Sequence, residues 1–243
     1  MNILITGARG FVGRNLTATL ENIRAGKDAT QPLDADIHIL PYDLDTAPEL
    51  LDTYCAQADF VVHLAGVNRP KDAREFMEGN FGFTTALLDT LKKHDSKAPV
   101  LITSSIQAEL DNPYGQSKKA GEDCLLAYGK SEGVPVFVYR LPNVFGKWCR
   151  PNYNSAIATF CHNIARDLPI VVSDRANPMS LVYIDDVVEE ILRAMAGQAN
   201  RQGDYYAVPA VYQTTLGFIV DTIYAFRQSR QDLSVPDVGD PLV

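Results

Sequence analysis

A tyrosine and a lysine four residues apart are the side chains in this sequence whose types and spacing best suit proton transfer. Tyr114 and Lys118 lie in the stretch DNPYGQSK, residues 111–118. If this stretch is helical, the two side chains share one face of the helix. An ammonium beside a phenol stabilises the phenolate, so we expect Lys118 to lower the pKa of Tyr114. The pair alone is not specific, because the same spacing is common on helix surfaces.

Hydroxyl groups that would complete such a site stand nine and ten residues earlier. The apolar run PVLITSS, residues 99–105, predicts a strand that ends in two serines. Ligands of doubly wound folds bind at the carboxyl ends of the strands, so a serine there can polarise a substrate oxygen. Ser105 is our first choice and Ser104 the alternative, because spacing does not fix the register. Serines that merely cap a strand end are the competing explanation.

A glycine-rich turn near the start of the chain predicts a dinucleotide site. Gly7, Gly10 and Gly13 form a G-x-x-G-x-x-G pattern between the apolar run NILIT and the amphipathic stretch RNLTATLENIRAG. The first glycine permits a sharp turn, and the second lets backbone N–H groups approach a pyrophosphate. The third lets the helix pack closely on the strand. The strand–turn–helix context makes this pattern more specific than it is alone.

Two residues disagree about which dinucleotide binds. Arg9, in the glycine turn, could hold a 2′-phosphate bidentately, which favours NADPH. Asp43, just past the second predicted strand, is the kind of carboxylate that binds an unphosphorylated ribose. We expect NADPH, with NADH as the alternative, because a loop rich in acids explains Asp43 more readily than solvent exposure explains Arg9.

The order of apolar runs predicts the fold class. Apolar runs that do not alternate with polar residues are typical of a parallel sheet covered on both faces. Here they alternate with helical segments, which predicts an α/β fold with a Rossmann-like doubly wound parallel sheet and a small C-terminal substrate-binding lobe. The predicted strands cover residues 2–6, 36–42, 58–66, 99–105 and 134–141, with helices at about 73–93 and 115–131 among those between them.

Beyond about residue 146 the alternation loosens. We expect residues 1–146 to form mainly the dinucleotide-binding core, 147–228 mainly the substrate-binding lobe, and 229–243 a linker. The linker prediction follows from lost periodicity and added Pro and Gly, and it predicts that the chain was cut from a longer one. In the lobe, the sequence predicts helices at SAIATFCHNIARDL, IDDVVEEILRAM and TTLGFIVDTIYAF, and a strand at LPIVVSD.

Composition argues against several classes of function. The net charge of −8 disfavours binding to nucleic acid or to anionic membranes. No apolar run approaches the roughly 20 residues of a membrane helix, and a strand that starts at residue 2 leaves no room for a signal sequence, so we expect a cytoplasmic protein. Four widely spaced cysteines without a CxxC pair predict reduced thiols and no metal site. His63, within an apolar strand, is interpreted as a core histidine.

Several motifs together resemble a known family. GARGFVG, DFVVHLAG, the serine pair, YGQSK, RLPNVFG and YIDDVVEEI occur in the order typical of the extended short-chain dehydrogenase/reductase (NAD-dependent epimerase/dehydratase) family. More narrowly, HLAGVNRP, SSIQAELDNPYGQSK and FGKWCRPNYNSAIATFCHNIAR resemble the N-terminal half of bifunctional capsular-polysaccharide enzymes on the route to UDP-N-acetyl-L-fucosamine. Those enzymes join a reductase domain to a C-terminal cupin that epimerises the sugar, and no cupin is present in these residues.

The resemblance implies a set of site residues. It implies that Tyr114, Lys118 and a serine are catalytic and that Asn143 faces the phosphates of the nucleotide sugar. The predicted cofactor site comprises Gly7, Arg9, Gly10, Phe11, Val12, Gly13, Asp43, Leu44, Leu64, Ala65, Gly66, Thr103, Tyr114, Lys118 and Leu141. The predicted substrate contacts are Asn68, Arg69, Asn143, Lys147, Arg150 and Arg175.

Two features depart from the pattern of that family. The interval between serine and tyrosine is shorter than relatives usually have, so the mouth of the pocket must be built differently. Met179 stands near the position where relatives often carry an arginine, which leaves Arg175 as a substitute.

The reaction expected from the resemblance is reduction by NADPH of the C4 ketone of a UDP-activated 2-acetamido-2,6-dideoxy-4-ketohexose. Tyr114 would supply the proton, and a covalently linked cupin domain and a homodimer are the expected partners. One alternative is a nucleotide-sugar 4-epimerase or dehydratase that retains NAD. Another is a non-catalytic dinucleotide-binding sensor, which intact Tyr114 and Lys118 disfavour.

Overall fold

The computed structural model describes residues 1–70, 72, 74–237 and 239–243. Ala73, where a predicted helix begins, and Val238, in the predicted linker, lie outside the described residues, as does Lys71. The chain forms two compact units, one of residues Met1–Leu141 with Asp185–Pro209, the other of Pro142–Ile184 with Ala210–Val243. The chain passes between the units three times, a path that a linear division at residues 146 and 228 does not describe.

Strands and helices alternate along the chain. The strands are β1 (Asn2–Thr6), β2 (His38–Tyr42), β3 (Phe60–His63), β4 (Val100–Ser105), β5 (Val136–Leu141), β6 (Asn143–Phe145), β7 (Pro178–Tyr183), β8 (Arg201–Gln202), β9 (Tyr205–Tyr206) and β10 (Tyr212–Thr215). The helices are α1 (Phe11–Arg24), α2 (Glu49–Gln57), α3 (Arg74–Phe76), α4 (Phe83–Lys93), α5 (Pro113–Glu132), α6 (Ala156–Ile164), α7 (Ile184–Met195) and α8 (Leu216–Asp232). A π-helix spans Met77–Gly82 and a 3₁₀-helix spans Ile106–Glu109. Among the described helices, none is both long enough and apolar enough to cross a membrane.

The first unit is built on one large sheet. Within the described residues its strand order is β2-β1-β3-β4-β5-β9-β8, with β8 antiparallel to β9 and the other pairs parallel. The order reverses at β1, which lies between β2 and β3, and ligands of doubly wound folds bind outside such a reversal. The predicted Rossmann-like α/β fold is confirmed.

Burial on both faces explains why the strands of this sheet read as continuous apolar runs. Ile3, Leu4 and Ile5 of β1 are fully buried, and every residue of β3 is buried. Burial of one such aliphatic side chain contributes roughly 1.5–3 kcal/mol relative to exposure. Leu4 and Val61 pack in a cluster with residues of α2, α4 and α5. This packing holds the carboxyl ends of β1 and β3 in place, and so it positions the loops that follow them.

The second unit has a smaller sheet with the order β10-β7-β6, in which β7 is parallel to β6 and antiparallel to β10. Its core brings together α6, β7 and α8. The buried residues of this core are Phe160, Ile164, Leu181, Leu216, Ile219 and Val220.

Three element predictions differ from the structure. The strand predicted at LPIVVSD is wrong, because residues 168–174 form no strand. Ile170 and Val172 pack against the core of the second unit while Val171 is exposed, so this apolar run contributes to packing without forming a strand. The helix predicted at 73–93 is three segments in the described part, and α8 continues to Asp232, beyond the predicted end of the lobe.

Gly13 is where the glycine turn leaves the least space. A Cβ atom on Gly13 would lie 2.2 Å from the carbonyl oxygen of Gly7. We expect Gly13→Ala to lower the free energy of unfolding by roughly 1–3 kcal/mol, because α1 must move off the turn. Gly121→Ala in α5 is the matched control, since its Cβ would meet its nearest neighbour at 3.6 Å. Urea unfolding without nucleotide measures both variants, and equal stability would contradict this close approach.

Candidate active site

The glycine turn joins the end of β1 to the start of α1. Gly7 has a φ of 72°, a left-handed conformation, and a Cβ there would lie 2.8 Å from the backbone nitrogen of Ala65. Gly10 is the N-cap residue of α1 and has no side chain that could obstruct an anion at this helix end. A helix N-terminus attracts phosphate through its N–H groups and its dipole. These features fit the pyrophosphate of a dinucleotide, as the sequence predicts.

The residues that bear on the type of dinucleotide lie beside this turn. Asp43 accepts a hydrogen bond from the backbone N–H of Arg9 at 2.7 Å and another from Leu44 at 2.8 Å. The guanidinium of Arg9 forms an ion pair with Asp45, and both side chains are more than half exposed. Leu44 is fully exposed. Arg9 is thus near the predicted position, but a carboxylate already pairs with it.

Local sequence fixes the position of Tyr114 at the start of α5. Asn112 caps the helix by accepting a hydrogen bond from the N–H of Gly115, and Pro113 occupies the first turn. A Cβ on Gly115 would lie 2.2 Å from the carbonyl oxygen of Gln107. Only glycine therefore lets the 3₁₀-helix after β4 approach the start of α5 this closely, and that approach brings Ser105 near Tyr114.

Tyr114 lies among Ser105, Phe76 and Lys118, and these are surroundings that suit a proton donor. Its hydroxyl lies near that of Ser105, which acts to lower the pKa of the tyrosine, and the ring of Phe76 meets its ring edge-on at 5.5 Å. The ammonium of Lys118 lies over the ring, 5.9 Å from its centre. Burial raises the pKa of Tyr114 above its usual value, and the Ser105 hydrogen bond opposes this only in part. The predicted lowering of this pKa is wrong for the protein alone, because loss of hydration outweighs the hydrogen bond from Ser105.

The two neighbouring serines have different surroundings. Ser105 ends β4, accepts a hydrogen bond from the N–H of Gln107 at 3.2 Å, and reaches Tyr114. Ser104 is buried and donates a hydrogen bond of 2.5 Å to Glu122. Side chains of consecutive strand residues point to opposite faces of the sheet, which explains the difference. The geometry therefore brings Ser105, and not Ser104, to Tyr114.

Lys118 is held against backbone. Its Nζ donates to the carbonyl oxygen of Thr103 at 3.4 Å, and a Cβ on Gly66 would lie 3.2 Å from this nitrogen. Burial lowers the pKa of Lys118 from 10.5 to about 8, while the negative charge of Glu122 acts in the opposite direction. Lys118 is thus one helical turn from Tyr114, beside the loop after β3, as the sequence predicts.

A chain of buried hydrogen bonds connects β1 to α5. His63 bonds to Thr6 at 2.7 Å through Nδ1 and to Thr84 at 2.8 Å through Nε2. Burial lowers the pKa of His63 to about 3, so its interpretation as a neutral core histidine is confirmed. Asn80 extends the chain by donating to Ser117 at 2.9 Å. The loop that carries Gly66 and the helix that carries Tyr114 are therefore tied to the same sheet.

The other predicted contacts fall into two groups. In the first unit, Phe11 and Val12 lie in the first turn of α1, Leu64 and Ala65 are half-buried after β3, and Leu141 is buried at the end of β5, whereas Asn68 and Arg69 are exposed. In the second unit, Asn143 donates to the carbonyl oxygen of Ser180 at 3.3 Å, Arg150 lies over the ring of Tyr153, Arg175 pairs with Asp221, Met179 packs against the core, and Lys147 is exposed.

A model of the NAD dependent epimerase/dehydratase family matches residues 3–208. The chain belongs to this family. The membership confirms the resemblance seen in the motifs and the prediction of an oxidoreductase-type enzyme. It also confirms a nicotinamide nucleotide as the cofactor class, without distinguishing the phosphorylated form.

Two relatives share much more sequence with this member of the epimerase/dehydratase family. The chain is 45% identical over 242 residues to the UDP-2-acetamido-2,6-beta-L-arabino-hexul-4-ose reductase of Pseudomonas aeruginosa, covering all of this chain and 62% of that protein. It is 46% identical to the capsular polysaccharide assembling protein CapF of Staphylococcus aureus, whose crystal structure superposes with a TM-score of 0.88 and is covered to 63%. The chain thus spans about three fifths of the length of these relatives.

More distant relatives share the fold. The UDP-glucuronic acid 4-epimerase of Bacillus cereus, crystallised with UDP-glucuronic acid and NAD, superposes with a TM-score of 0.76 at 22% identity. That comparison covers 93% of this chain and 83% of the epimerase. The same fold therefore serves epimerases as well as reductases, so the fold alone does not determine which reaction is catalysed.

Sequence reasoning missed three polar residues of this site. Glu122 and Arg140 form a buried ion pair behind Lys118, and Asn80 bonds to both the N–H and the carbonyl of Val67. A signal was available for Glu122, which follows Lys118 by four residues on the same helix face. Asn80 gave no local signal, because its helical segment is widened into a π-helix that spacing rules do not foresee.

The two serines should differ in their effect on stability. We expect Ser104→Ala to lower the free energy of unfolding by roughly 1–3 kcal/mol, because buried Glu122 loses a hydrogen bond. Ser105→Ala should lower it less, since Ser105 is only half-buried. Denaturant unfolding of both variants checks this order. Equal losses would contradict the separate surroundings described here.

Proposed function

We propose that this chain is the reductase portion of a protein that reduces the C4 ketone of a UDP-activated 2-acetamido-2,6-dideoxy-4-ketohexose. The observation that carries the proposal is the cluster in which Ser105 lies beside Tyr114 while the ammonium of Lys118 lies over the tyrosine ring. Identity of 45% along the whole chain to a UDP-hexulose reductase supports this substrate class. The name of the Staphylococcus aureus relative supports a place in capsular polysaccharide synthesis.

The chemistry divides between a bound cofactor and the side chains. A reduced nicotinamide nucleotide, when bound, supplies the hydride that converts the ketone to an alkoxide. Ser105 donates a hydrogen bond to the ketone oxygen and so favours the developing negative charge. Tyr114 donates its proton to that oxygen, which completes the alcohol. Lys118 favours the phenolate that remains and orients the ribose.

The raised pKa of Tyr114 in the protein alone is compatible with its proposed role as proton donor in a reduction. A phenol whose pKa is raised stays protonated at neutral pH, and that is the form a proton donor needs. An epimerase that starts from an alcohol needs the ionised form first, to accept a proton. The family contains both reaction types, so an epimerase or dehydratase with retained NAD is the second candidate.

The wider setting of the enzyme also belongs to the proposal. We place the reaction in the cytoplasm, and we propose that the full-length protein continues into a cupin epimerase domain, because the two similar relatives are longer than this chain. A homodimer stays a prediction. Asn143, Lys147, Arg150 and Arg175 stay the proposed contacts to the substrate, together with Asn68 and Arg69.

Replacing the proposed acid tests the reaction. We expect Tyr114→Phe to lower kcat by about 10²–10⁴-fold, because the alkoxide loses its proton donor. Affinity for the dinucleotide, measured by fluorescence titration, should change little. Turnover is followed as nicotinamide oxidation with the UDP-4-keto sugar, both before and after a cupin-type epimerase has acted on it. Ser105→Ala should also lower kcat.

Tyr128→Phe is the matched control for this test. Tyr128 lies on the same helix, and its buried hydroxyl has no hydrogen-bond partner among the described residues. Full turnover by Tyr114→Phe would remove the acid from the scheme. Purified protein that carries NAD and turns over without added reductant would instead favour the epimerase, and binding without any oxidation would favour a sensor.

Cofactor choice is tested at Arg9. We propose that NADPH is preferred, because the exposed ion pair of Arg9 with Asp45 is worth only about 0–1 kcal/mol and a 2′-phosphate can replace it. Arg9→Gln should weaken NADPH binding by about tenfold with little effect on NADH, and Asp45→Asn should strengthen NADPH binding. Calorimetric titration measures both, with Arg24→Gln as the control. An unchanged preference in Arg9→Gln would point to NADH bound through Asp43.

A further inference from the structure

Glu122 is a fully buried carboxylate on the helix that carries Tyr114 and Lys118. Its side chain is 0% exposed. Oε1 accepts hydrogen bonds from Ser104 at 2.5 Å and from Nε of Arg140 at 3.0 Å. Oε2 accepts a bond of 2.7 Å from a terminal nitrogen of Arg140. Ser104 and the guanidinium of Arg140 therefore satisfy both oxygens of this buried carboxylate, and the positive charge of Arg140 offsets its loss of hydration.

Arg140 holds this carboxylate from β5. Its side chain is 14% exposed, and the guanidinium stacks on the ring of Tyr205 at 3.9 Å while one nitrogen donates to the hydroxyl of that tyrosine. Another nitrogen pairs with Glu109, whose side chain is 72% exposed. Tyr205 and Glu109 therefore hold the guanidinium of Arg140 in place, and two of its nitrogens hold the carboxylate of Glu122.

Lys118 lies one helical turn before Glu122. Residues at i and i+4 on a helix are neighbours. The ammonium faces the carbonyl oxygen of Thr103 and the ring of Tyr114, which are dipolar partners rather than countercharges. The other titratable group facing it is His63 of β3, which burial keeps neutral. Among the described residues, the charge that acts to raise the pKa of Lys118 is that of Glu122, whose own countercharge is Arg140.

We propose that Glu122, locked by Arg140 and Ser104, is a positioning residue that keeps Lys118 protonated and directed at Tyr114. This inference rests on the proposed role of Lys118 in the reductase. The carboxylate acts through Lys118 and touches neither substrate nor cofactor. The buried ion pair of Glu122 and Arg140 thus contributes to the reaction through Lys118 as well as to the fold.

The direction of the effect on pH dependence follows from the charges. Burial lowers the pKa of Lys118 to about 8, and the charge of Glu122 raises it. The ammonium is therefore lost as pH rises through about 8, and activity should fall there. Removing the negative charge of Glu122 lowers the pKa of Lys118 further. The alkaline limb of the activity profile should then move to lower pH.

The experiment measures the charge of Lys118 in two independent ways. In Glu122→Gln, the alkaline limb of kcat/KM for the UDP-4-keto sugar should move down by about one pH unit. Competitive acetylation of lysines at a series of pH values, read by mass spectrometry without substrate, should show the same shift at Lys118. Lys92, an exposed lysine that pairs with Glu132 and whose pKa shift has no contribution from Glu122, is the internal reference and should not shift.

Two further variants separate charge from packing. Glu109→Gln removes another partner of Arg140 but an exposed one, so both midpoints should stay where they are in the unchanged protein. Glu122→Asp keeps the charge while disturbing the contacts to Arg140, so it should lose stability and yet keep the midpoint near the original value. Equal shifts in the Gln and Asp variants would overturn the proposal, as would no shift in the Gln variant.

If Glu122→Gln does not fold, Arg140→Gln provides the test in the opposite direction. In this variant the negative charge of Glu122 is no longer neutralised, so the acetylation midpoint of Lys118 should rise. An unchanged or lower midpoint would overturn the proposal. Acetylation needs no substrate, which separates the two proposals. A shift at Lys118 in a protein that reduces no keto sugar would refute the proposed function and leave the electrostatic effect of Glu122 standing.

Discussion

The removal of an ammonium from water is the constraint on which the rest of this site depends. An isolated buried lysine tends to lose its proton, because the low-dielectric interior does not replace its hydration. Lys118 is surrounded by a carbonyl oxygen, an aromatic ring and, one turn away, a carboxylate that has its own countercharge. The sheet, the glycine of the loop after β3 and the start of α5 all have to lie in place for that environment to exist.

Much of the fold and part of the site could be predicted because the signals are local. A glycine turn between a strand and a helix is specified by consecutive residues, and so is the four-residue spacing of Tyr114 and Lys118. The apolar runs predicted the strands because both faces of the large sheet are covered. These features depend on neighbours along the chain, and a single sequence contains them in full.

The remaining features depend on contacts between distant segments. The surroundings of Ser104 and Ser105 are set by where Glu122 and Tyr114 lie, and nothing near the serines in the sequence states this. The direction of the Tyr114 pKa shift was predicted wrongly because burial of the phenol, which only the fold determines, is the largest influence on this pKa. The strand predicted at residues 168–174 is wrong for a related reason, since a strand needs a partner strand as well as an apolar run.

The π-helix at Met77–Gly82 has a consequence for how this part of the chain can vary. A π turn is an α-helix with one residue inserted, which rotates everything after it by about 100° relative to what precedes it. Asn80 lies within this turn and forms two hydrogen bonds with the backbone of Val67. Leu87 and Leu91, farther along in α4, are buried in the core. Deleting one residue here would rotate the buried leucines of α4 relative to Asn80. The leucines could then not face the core while Asn80 bonds to Val67. The segment should therefore tolerate changes of side chain far better than changes of length.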